Sequence, residues 1–454
     1  ETMRLSSSGN NADVNPDVLE ICNMINDDCN PSTPDGYYES YYESTETTCD
    51  DGLDNDCGGA ADTDDCDCPG AVCVESIITG NPGLHGCALL SDGTVQCWGD
   101  NERYQFGVTS APGTSYGDHN TPVDVDLGIG NIVDLSGGRY FTCALIDDGN
   151  VKCWGKPFED YSIQGIEIID IDLSRDADIL VVGPAHACAI LDDMSVECWG
   201  DGENGELGNG GDVSYWDGTV ATVPGLSGVI DISLGEYHTC ALVTDVNEVW
   251  CWGSNQEGQL GVGSEGLETG CDHSPCSYVP VQVTEATGAY DIEVGTRHSC
   301  AVVGGILKCW GYNQWCILSD ADDGSCSPYE GDCTENFAPA TPSAVSGKSD
   351  IESVSAGADF TCVLDITGRV QCWGDNVYGQ SGDYPGMDGG SYQVCSLNTM
   401  IGAGAVQLTA GDGFACARTK DGVVWCWGSN YEGQLGFGND EPYLSDTAMQ
   451  VAIQ

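Results

Sequence analysis

Residues 85–101 read HGCALLSDGTVQCWGDN, and residues 414–430 read FACARTKDGVVWCWGSN. Each stretch has a short strand around its first cysteine, a turn at Asp-Gly and a return strand that ends in Cys-Trp-Gly. Cys-Trp-Gly occurs seven times, at intervals of 45 to 63 residues. Self-similarity at such a period is typical of repeat architectures. The sequence therefore predicts seven copies of one β-hairpin, with the tryptophans Trp98, Trp154, Trp199, Trp252, Trp310, Trp373 and Trp427.

A second cysteine lies nine to eleven residues before the cysteine of each Cys-Trp-Gly. The turn absorbs the difference in length, so the two cysteines stay opposite each other on paired strands, within reach of a disulfide. Buried reduced thiols are the alternative. We predict seven hairpin disulfides, Cys87–Cys97, Cys143–Cys153, Cys188–Cys198, Cys240–Cys251, Cys300–Cys309, Cys362–Cys372 and Cys416–Cys426.

Other cysteines lie between the hairpins. Cys271 and Cys276 are close enough in the chain for a local bridge. The pairing among Cys316, Cys326, Cys333 and Cys395 stays open.

Two further strands accompany each hairpin. One directly precedes it, as at residues 132–136 and 229–233, and a Pro-Val-x-Val stretch lies earlier still, as at 122–125 and 280–283. Four strands in a unit of about 55 residues, repeated seven times, predict an all-β, seven-bladed β-propeller over residues 74–454. The first repeat lacks the earlier strand, and residues 449–453 resemble a spare one. We therefore expect the C-terminal strand to pair with the first repeat and close the ring.

The combined pattern Gly-x-x-His-x-Cys-Ala-Leu and Gly-x-Val-x-Cys-Trp-Gly-x-Asn-x-x-Gly-Gln-Leu-Gly resembles the regulator of chromosome condensation repeat. Copies ending at Gly261 and Gly436 match it almost completely, and the resemblance implies a seven-bladed propeller. Two copies depart from it. KPFEDYSIQG follows Gly155, and YNQWCILSDADDGSC follows Gly311, so we expect unusual loops at the second and fifth blades.

Histidine stands two residues before the first cysteine in four copies, and phenylalanine stands there in the other three. A position that exchanges His for Phe predicts a packing role rather than catalysis or metal binding. The sequence contains no Ser/His/Asp set, Walker loop or Gly-x-Ser-x-Gly elbow, so we predict that the chain is not an enzyme. A hydrolase that uses carboxylates of the loops is the weaker alternative. The positions are His85, His186, His238, His298, Phe141, Phe360 and Phe414.

The amino-acid composition limits the compartment in which the protein can work and the partners that it can bind. The 27 cysteines favour an oxidising compartment. Because the number is odd, at least one cysteine is unpaired or is paired with another chain. Few histidines and no paired CxxC knuckles argue against zinc. A net charge of −61 argues against binding to nucleic acid or anionic membranes. With no apolar run of membrane-spanning length and no N-glycosylation sequon, we predict a processed, secreted or cell-surface prokaryotic protein.

Residues 1–73 form an acidic, Cys/Asp-rich arm that resembles metal-binding Asp/Cys repeats of bacterial surface proteins. The carboxylate and amide oxygens suit calcium, a hard cation that takes six to eight oxygen ligands. We predict a small irregular arm stabilised by disulfides and a structural calcium ion. A solvated acidic linker held only by disulfides is the alternative. The candidate ligands are Asn26, Asp28, Asp35, Asp54, Asp56, Asp62 and Asp64.

Two functions follow as hypotheses. The first is an extracellular structural or adhesive protein that self-assembles through the arm into a fibre or surface layer, as a homo-oligomer or polymer. The second is a secreted or cell-surface binding module that captures a protein or glycan on the rim of the propeller. Neither requires a bound cofactor other than calcium.

Overall fold

The computed structural model describes residues 72–80, 83–107, 119–125, 127–155, 168–214, 218–244, 246–263, 267–271, 274–313, 317–318, 340–345, 347–382, 398–420, 422–438 and 442–453. The predicted arm at residues 1–73, its seven candidate calcium ligands and Cys316, Cys326, Cys333 and Cys395 lie outside these ranges, except for Cys73 and its neighbour Val72. The propeller belongs to a compact unit of Val74–Thr419 and Val423–Gln454. No helix of the described part is long and apolar enough to cross a membrane.

Seven antiparallel sheets, one for each hairpin, form the blades of a propeller. The first strands of the blades, called here the inner strands, are β1 (Val74–Thr79), β5 (Ile132–Gly137), β9 (Ala177–Val182), β13 (Val229–Leu234), β18 (Ala289–Val294), β22 (Ile351–Ala356) and β26 (Ala405–Ala410). The second strands are β2 (His85–Leu90), β6 (Phe141–Ile146), β10 (His186–Leu191), β14 (His238–Val243), β19 (His298–Val303), β23 (Phe360–Asp365) and β27 (Phe414–Thr419).

The third strands carry Cys-Trp-Gly and are β3 (Val95–Gly99), β7 (Val151–Gly155), β11 (Val196–Gly200), β15 (Glu248–Ser254), β20 (Ile306–Gly311), β24 (Val370–Gly374) and β28 (Val424–Ser429). The outer strands are β4 (His119–Val125), β8 (Ile169–Ile171), β12 (Ala221–Thr222), β17 (Ser274–Gln282), β21 (Ser343–Ala344), β25 (Asn398–Ile401) and β29 (Leu444–Gln450). The fourth blade has one additional edge strand, β16 (Glu268–Cys271), which pairs with β17. A 3-10 turn at Thr284–Ala286 follows β17.

The hairpin register places each pair of cysteines directly opposite each other. Cys87 faces Cys97 across β2 and β3, and Cys240 faces Cys251 across β14 and β15 although that turn is longer. All seven pairs are disulfides, with Cα atoms 4.0 to 4.1 Å apart. Cys271 and Cys276 also form a disulfide.

The ring is closed by inner strands, not by the C-terminal strand. Each inner strand contacts the next one, and β26 contacts β1. The expected pairing of the C-terminal strand with the first repeat is wrong, because β29 pairs with β28 of its own blade and β4 supplies the outer strand of the first blade. The Pro-Val-x-Val strand therefore completes the blade before it, so every blade is one continuous segment of chain.

Apolar cores lie between neighbouring blades. At the junction of the last and first blades, Trp98 packs with Phe414, Leu435 and Val451 in one buried cluster. Trp252 similarly packs against Leu207 and Val196 of the preceding blade. Each buried tryptophan thus adds apolar burial to a junction between blades rather than to the interior of one sheet.

Candidate binding face

In the first, fourth, sixth and seventh blades, the loops after Cys-Trp-Gly share one conformation at one end of the blades. In the fourth blade the Asn255 side chain accepts the N–H of Leu260 at 2.9 Å, and the Gln259 side chain accepts the N–H of Glu257 at 2.9 Å. Gly258 and Gly261 adopt positive φ angles of 81° and 72°, which a residue with a Cβ rarely adopts. The turns between inner and second strands lie at this same end, called here the loop face.

In the described part of the chain, six of the loops after Cys-Trp-Gly form hydrogen bonds with the next blade. The indole Nε1–H of Trp252 donates to the backbone oxygen of Glu206 at 2.6 Å, and the hydroxyl of Thr239 donates to the same oxygen at 3.0 Å. Trp98, Trp154, Trp310, Trp373 and Trp427 make the corresponding bond to the preceding loop, at 2.8 to 3.0 Å. The loop therefore supplies both an apolar side chain and a hydrogen-bond acceptor to the neighbouring blade.

The four histidines belong to the same junctions. His186 Nε2 lies 2.7 Å from the Thr239 hydroxyl, whose single hydrogen goes to Glu206. Since that oxygen can then only accept from His186, Nε2 of His186 carries a proton. Burial lowers the pKa of His186, His238 and His298 to about 3, and that of His85 to about 4.

The exchange of His for Phe is matched on the following blade. Each of the four histidines faces a Thr or Ser at the second residue of the next blade's second strand. Each of the three phenylalanines is followed, on the next blade, by Ala or Gly at that same residue. The pairs are His85–Thr142, His186–Thr239, His238–Ser299 and His298–Thr361, against Phe141–Ala187, Phe360–Ala415 and Phe414–Gly86. The predicted packing role is therefore accompanied by a hydrogen bond that sequence reasoning missed, although the paired residue types were the signal for it.

Tyrosines and arginines cover the loop face. The guanidinium of Arg297 lies 5.8 Å from the ring centroids of both Tyr237 and Tyr312, and that of Arg103 lies 5.3 Å from Tyr140. Arg139 lies over Tyr140 as well and is 3.6 Å from the carboxylate of Glu236. These cations belong to the first, second and fifth blades.

The sixth and seventh blades present tyrosines and carboxylates instead. Tyr431 and Tyr443 stack almost in parallel at 5.5 Å, and Tyr378 meets the edge of Tyr431 at 5.9 Å. Between 38% and 49% of each tyrosine is exposed. Burial, together with the charges of Asp412 and Asp375, raises the pKa of the Tyr378 phenol. We call Tyr378, Tyr431 and Tyr443 the tyrosine cluster.

Comparison with known proteins agrees with this geometry. Models of the regulator of chromosome condensation (RCC1) repeat match residues 83–105, 132–159, 229–259, 351–380 and 405–434, and a second model of that repeat matches 196–242 and 247–302. Yeast RCC1 (Prp20), solved bound to Kap60, superposes with a TM-score of 0.63 at 18% identity, over 83% of this chain and 88% of that one. The chain is an RCC1-repeat propeller.

Curated relatives of this RCC1-repeat propeller include human E3 ubiquitin-protein ligase HERC2, 29% identical over 53% of this chain, and the ultraviolet-B receptor UVR8 of Arabidopsis thaliana, 28% identical over 53%. The matches cover 5% of HERC2 and 50% of UVR8. Human WBSCR16 has the same fold, with a TM-score of 0.63 at 19% identity over 79% of this chain and 95% of that one.

The inner strands of the RCC1-repeat propeller are linked by side chains. The N–H of Val182 donates to Ser136 at 2.8 Å, that of Val354 to Asp291 at 2.7 Å, and that of Ile77 to Gln407 at 3.1 Å. Each acceptor belongs to the preceding blade. Polar side chains thus satisfy inner-strand N–H groups that have no strand beside them.

Four carboxyl groups on the inner strands have pKa values above their usual range. Burial raises the pKa of Asp134 and Asp231 to about 6, of Asp291 to about 7 and of Glu293 to about 8, and the charges of Asp291 and Asp231 add to the shift at Glu293. Among the described residues, no Lys or Arg forms an ion pair with any of the four. Within that same part of the chain, no group of three or more His, Cys, Asp or Glu side chains could hold a metal ion.

Proposed function

We propose that this chain is an extracellular binding module that captures a positively charged segment of a partner protein on the loop face. The tyrosine cluster is the observation that carries the proposal, because exposed, stacked aromatic rings next to partly buried carboxylates suit the ammonium and guanidinium groups of Lys and Arg. Related propellers bind proteins as well: yeast Prp20, another RCC1-repeat protein, is described as binding Gsp1p and histones.

Charge supports a cationic partner. Asp359, Asp375 and Asp412 lie at the loop face near the tyrosine cluster, and burial raises the pKa of all three carboxyls, that of Asp359 to about 6. A net charge of −61 steers cations toward the molecule and repels acidic partners. The disulfides and this charge together favour the outside of a cell as the compartment.

The experiment uses the full chain and a fluorescent Lys/Arg-rich peptide, followed by anisotropy at several salt concentrations. Exchanging both Tyr431 and Tyr443 for Ala is expected to weaken binding about tenfold, since two aromatic contacts to a cation are lost. The matched control is Ile366→Ala, because Ile366 is 67% exposed on a turn at the opposite end of the blades. Equal affinity for all three proteins would show only nonspecific attraction to a polyanion and would overturn the proposal.

Self-assembly is the second candidate and rests on the sequence of the arm. We propose that residues 1–73 bind calcium and link copies of the chain at a prokaryotic cell surface. Electron microscopy of the full chain with and without a calcium chelator tests it: fibres or sheets that disappear with chelator support it, and single rings in both conditions contradict it. That the chain is not an enzyme stays a prediction.

A further inference from the structure

Arg297 is an exposed cation that forms no ion pair. It lies in the turn between β18 and β19, at the loop face of the fifth blade. The chain has 12 Lys and Arg against 73 Asp and Glu, so carboxylates are abundant. Within the described part of the chain, Arg139, Lys152, Arg175 and Arg369 each form an ion pair with a carboxylate, but Arg297 does not. Its charge is therefore available to a group from outside the chain.

Two tyrosine rings lie beside the guanidinium of Arg297. The ring centroids of Tyr237 and Tyr312 are each 5.8 Å from it. Tyr312 is fixed next to the turn, because its backbone N–H donates to the backbone oxygen of Arg297 at 3.0 Å. A guanidinium that contacts aromatic rings keeps N–H donors in its own plane, and two of these match the two oxygens of a carboxylate. Contacts that restrict the side chain beforehand also lower the entropic cost of binding.

The repeat itself does not require an arginine at this position. The other six blades have apolar, aromatic, acidic or glycine residues directly before the equivalent His or Phe, so no structural role common to the blades explains Arg297. These residues are Leu84, Tyr140, Ala185, Tyr237, Asp359 and Gly413.

Carboxylates connect Arg297 with the tyrosine cluster. The charge of Asp359, on the next blade, interacts with those of Arg297, Asp375 and Asp412, although Asp359 and Arg297 form no ion pair. Asp412 and Asp375 in turn lie close enough to act on Tyr378. The loop face therefore changes from tyrosines and carboxylates on the seventh and sixth blades to a cation on the fifth.

We propose that Arg297 binds a carboxylate of the partner segment, while the tyrosine cluster and its neighbouring carboxylates bind the Lys and Arg side chains of that segment. This inference rests on the proposed function and defines the partner more narrowly, as a basic segment that also contains a carboxylate. A carboxylate fits better than a phosphate group, which brings about two negative charges to a chain with a net charge of −61.

The test uses the full chain and pairs of short, labelled, Lys/Arg-rich peptides with amidated C-termini. One member of each pair carries a single Glu, placed at a different position in each pair, and the other carries Gln there. Nonspecific attraction to a polyanion predicts weaker binding of every Glu peptide, because its net charge is less positive. A carboxylate site at Arg297 instead predicts that at least one Glu peptide binds about fivefold more tightly than its Gln partner, as measured by anisotropy.

Three variants of the protein locate this preference. Arg297→Gln is expected to abolish it without weakening the binding of the Gln peptides. Arg297→Lys keeps the charge but loses the planar pair of donors, so it should retain a preference of only about twofold. The matched control is Arg175→Gln, which changes the net charge equally at the opposite end of the blades, where Arg175 pairs with Asp192. It should keep the full preference.

A carboxylate can also come from the end of a chain. A peptide with no Glu but with a free C-terminal carboxylate is therefore compared with its amide. If the free acid binds more tightly and this preference is lost in Arg297→Gln, the site is confirmed and the bound group is a chain terminus.

Two outcomes overturn the inference. In one, no peptide with a carboxylate binds more tightly than its uncharged counterpart. In the other, the preference persists in Arg297→Gln. The double variant with Ala at Tyr431 and Tyr443 separates this inference from the proposed function, because it should weaken both members of a pair equally and leave their ratio unchanged. A lost effect of the tyrosines with an intact, Arg297-dependent ratio would contradict the tyrosine cluster alone.

Discussion

Complete reduction of the disulfides is expected to abolish the cooperative unfolding transition of the propeller at neutral pH. Each hairpin disulfide closes a loop of nine to eleven residues, and restricting the unfolded chain in this way stabilises the fold by about 2.5–3 kcal/mol per loop. Seven such terms together exceed the net stability of most domains, which is about 5–15 kcal/mol. The reduced chain should therefore lack enough stability to hold the ring.

Urea titration followed by near-ultraviolet circular dichroism measures this effect in the oxidised and reduced chains. The hairpin cysteines are buried, so reduction has to be carried out in urea before dilution into reductant. Exchange of the single pair Cys240 and Cys251 for Ala is the graded control, with an expected loss of about 2.5–3 kcal/mol. A reduced chain that keeps a transition within about 2 kcal/mol of the oxidised one would show that packing alone stabilises the blades.

The result also bears on where the protein works. A fold that depends on disulfides persists only where thiols are oxidised, because cytosolic reductants would remove the cross-links from any chain that unfolds transiently. The same experiment therefore tests the physical basis of the proposed extracellular location.

Sequence alone predicted the hairpins, their disulfides and the number of blades, because these depend on neighbours within about a dozen residues. Cys87 and Cys97 face each other whatever the rest of the chain does. The assignment of outer strands failed for a different reason. A repeat has no marked beginning, so periodicity cannot show whether the strand at residues 122–125 belongs to the hairpin before or after it.

The contacts between blades were also beyond the sequence reasoning. Thr142 and His85 are 57 residues apart, and only the ring geometry shows that Thr142 also donates to Gln105. The pairing of residue types, His with Thr or Ser and Phe with Ala or Gly, is present in the sequence. Assigning each pair to two neighbouring blades requires the order of the blades in space. The raised pKa of Glu293 is equally non-local, since it comes from burial between inner strands.

Acidification from pH 8.5 to 6.5 is expected to stabilise the propeller, by about 2–4 kcal/mol. Glu293, Asp291 and Glu206 have folded pKa values of about 8, 7 and 7, raised above their unfolded values by burial. The folded state therefore binds more protons than the unfolded state in this range, and stability falls as pH rises through the folded pKa values. Exposed carboxylates are ionised in both states and do not contribute.

Glu293→Gln is expected to remove about half of this pH dependence while leaving the structure intact. Glutamine keeps a side-chain oxygen for the hydroxyl of Ser233, which donates to Glu293 in the wild-type chain. The free energy of unfolding is measured at several pH values from 6.5 to 8.5, with Glu352→Gln as the control because Glu352 is an exposed inner-strand carboxylate. Identical slopes for Glu293→Gln and wild type would contradict a titrating Glu293.

The four buried histidines have the opposite effect on the pH dependence of stability. Their folded pKa values of about 3 to 4 lie below the unfolded value of 6.5, so the unfolded chain binds more protons below pH 6.5 and stability falls as pH falls. Between about pH 4.5 and 6.5 the carboxylates oppose this loss, and below pH 4.5 the histidines dominate.

The junctions that already contain Phe and Ala suggest a matched variant, which tests the loss of stability that the histidines cause at acid pH. Exchanging His186 for Phe together with Thr239 for Ala reproduces the Phe141–Ala187 pair, and it should reduce the slope below pH 4.5 by about 1.4 kcal/mol per pH unit, the value of one proton. Thr239→Ala alone leaves His186 Nε2 without its partner and is expected to cost about 1–3 kcal/mol at neutral pH. An unchanged acid slope in the double variant would contradict a folded pKa of about 3 for His186.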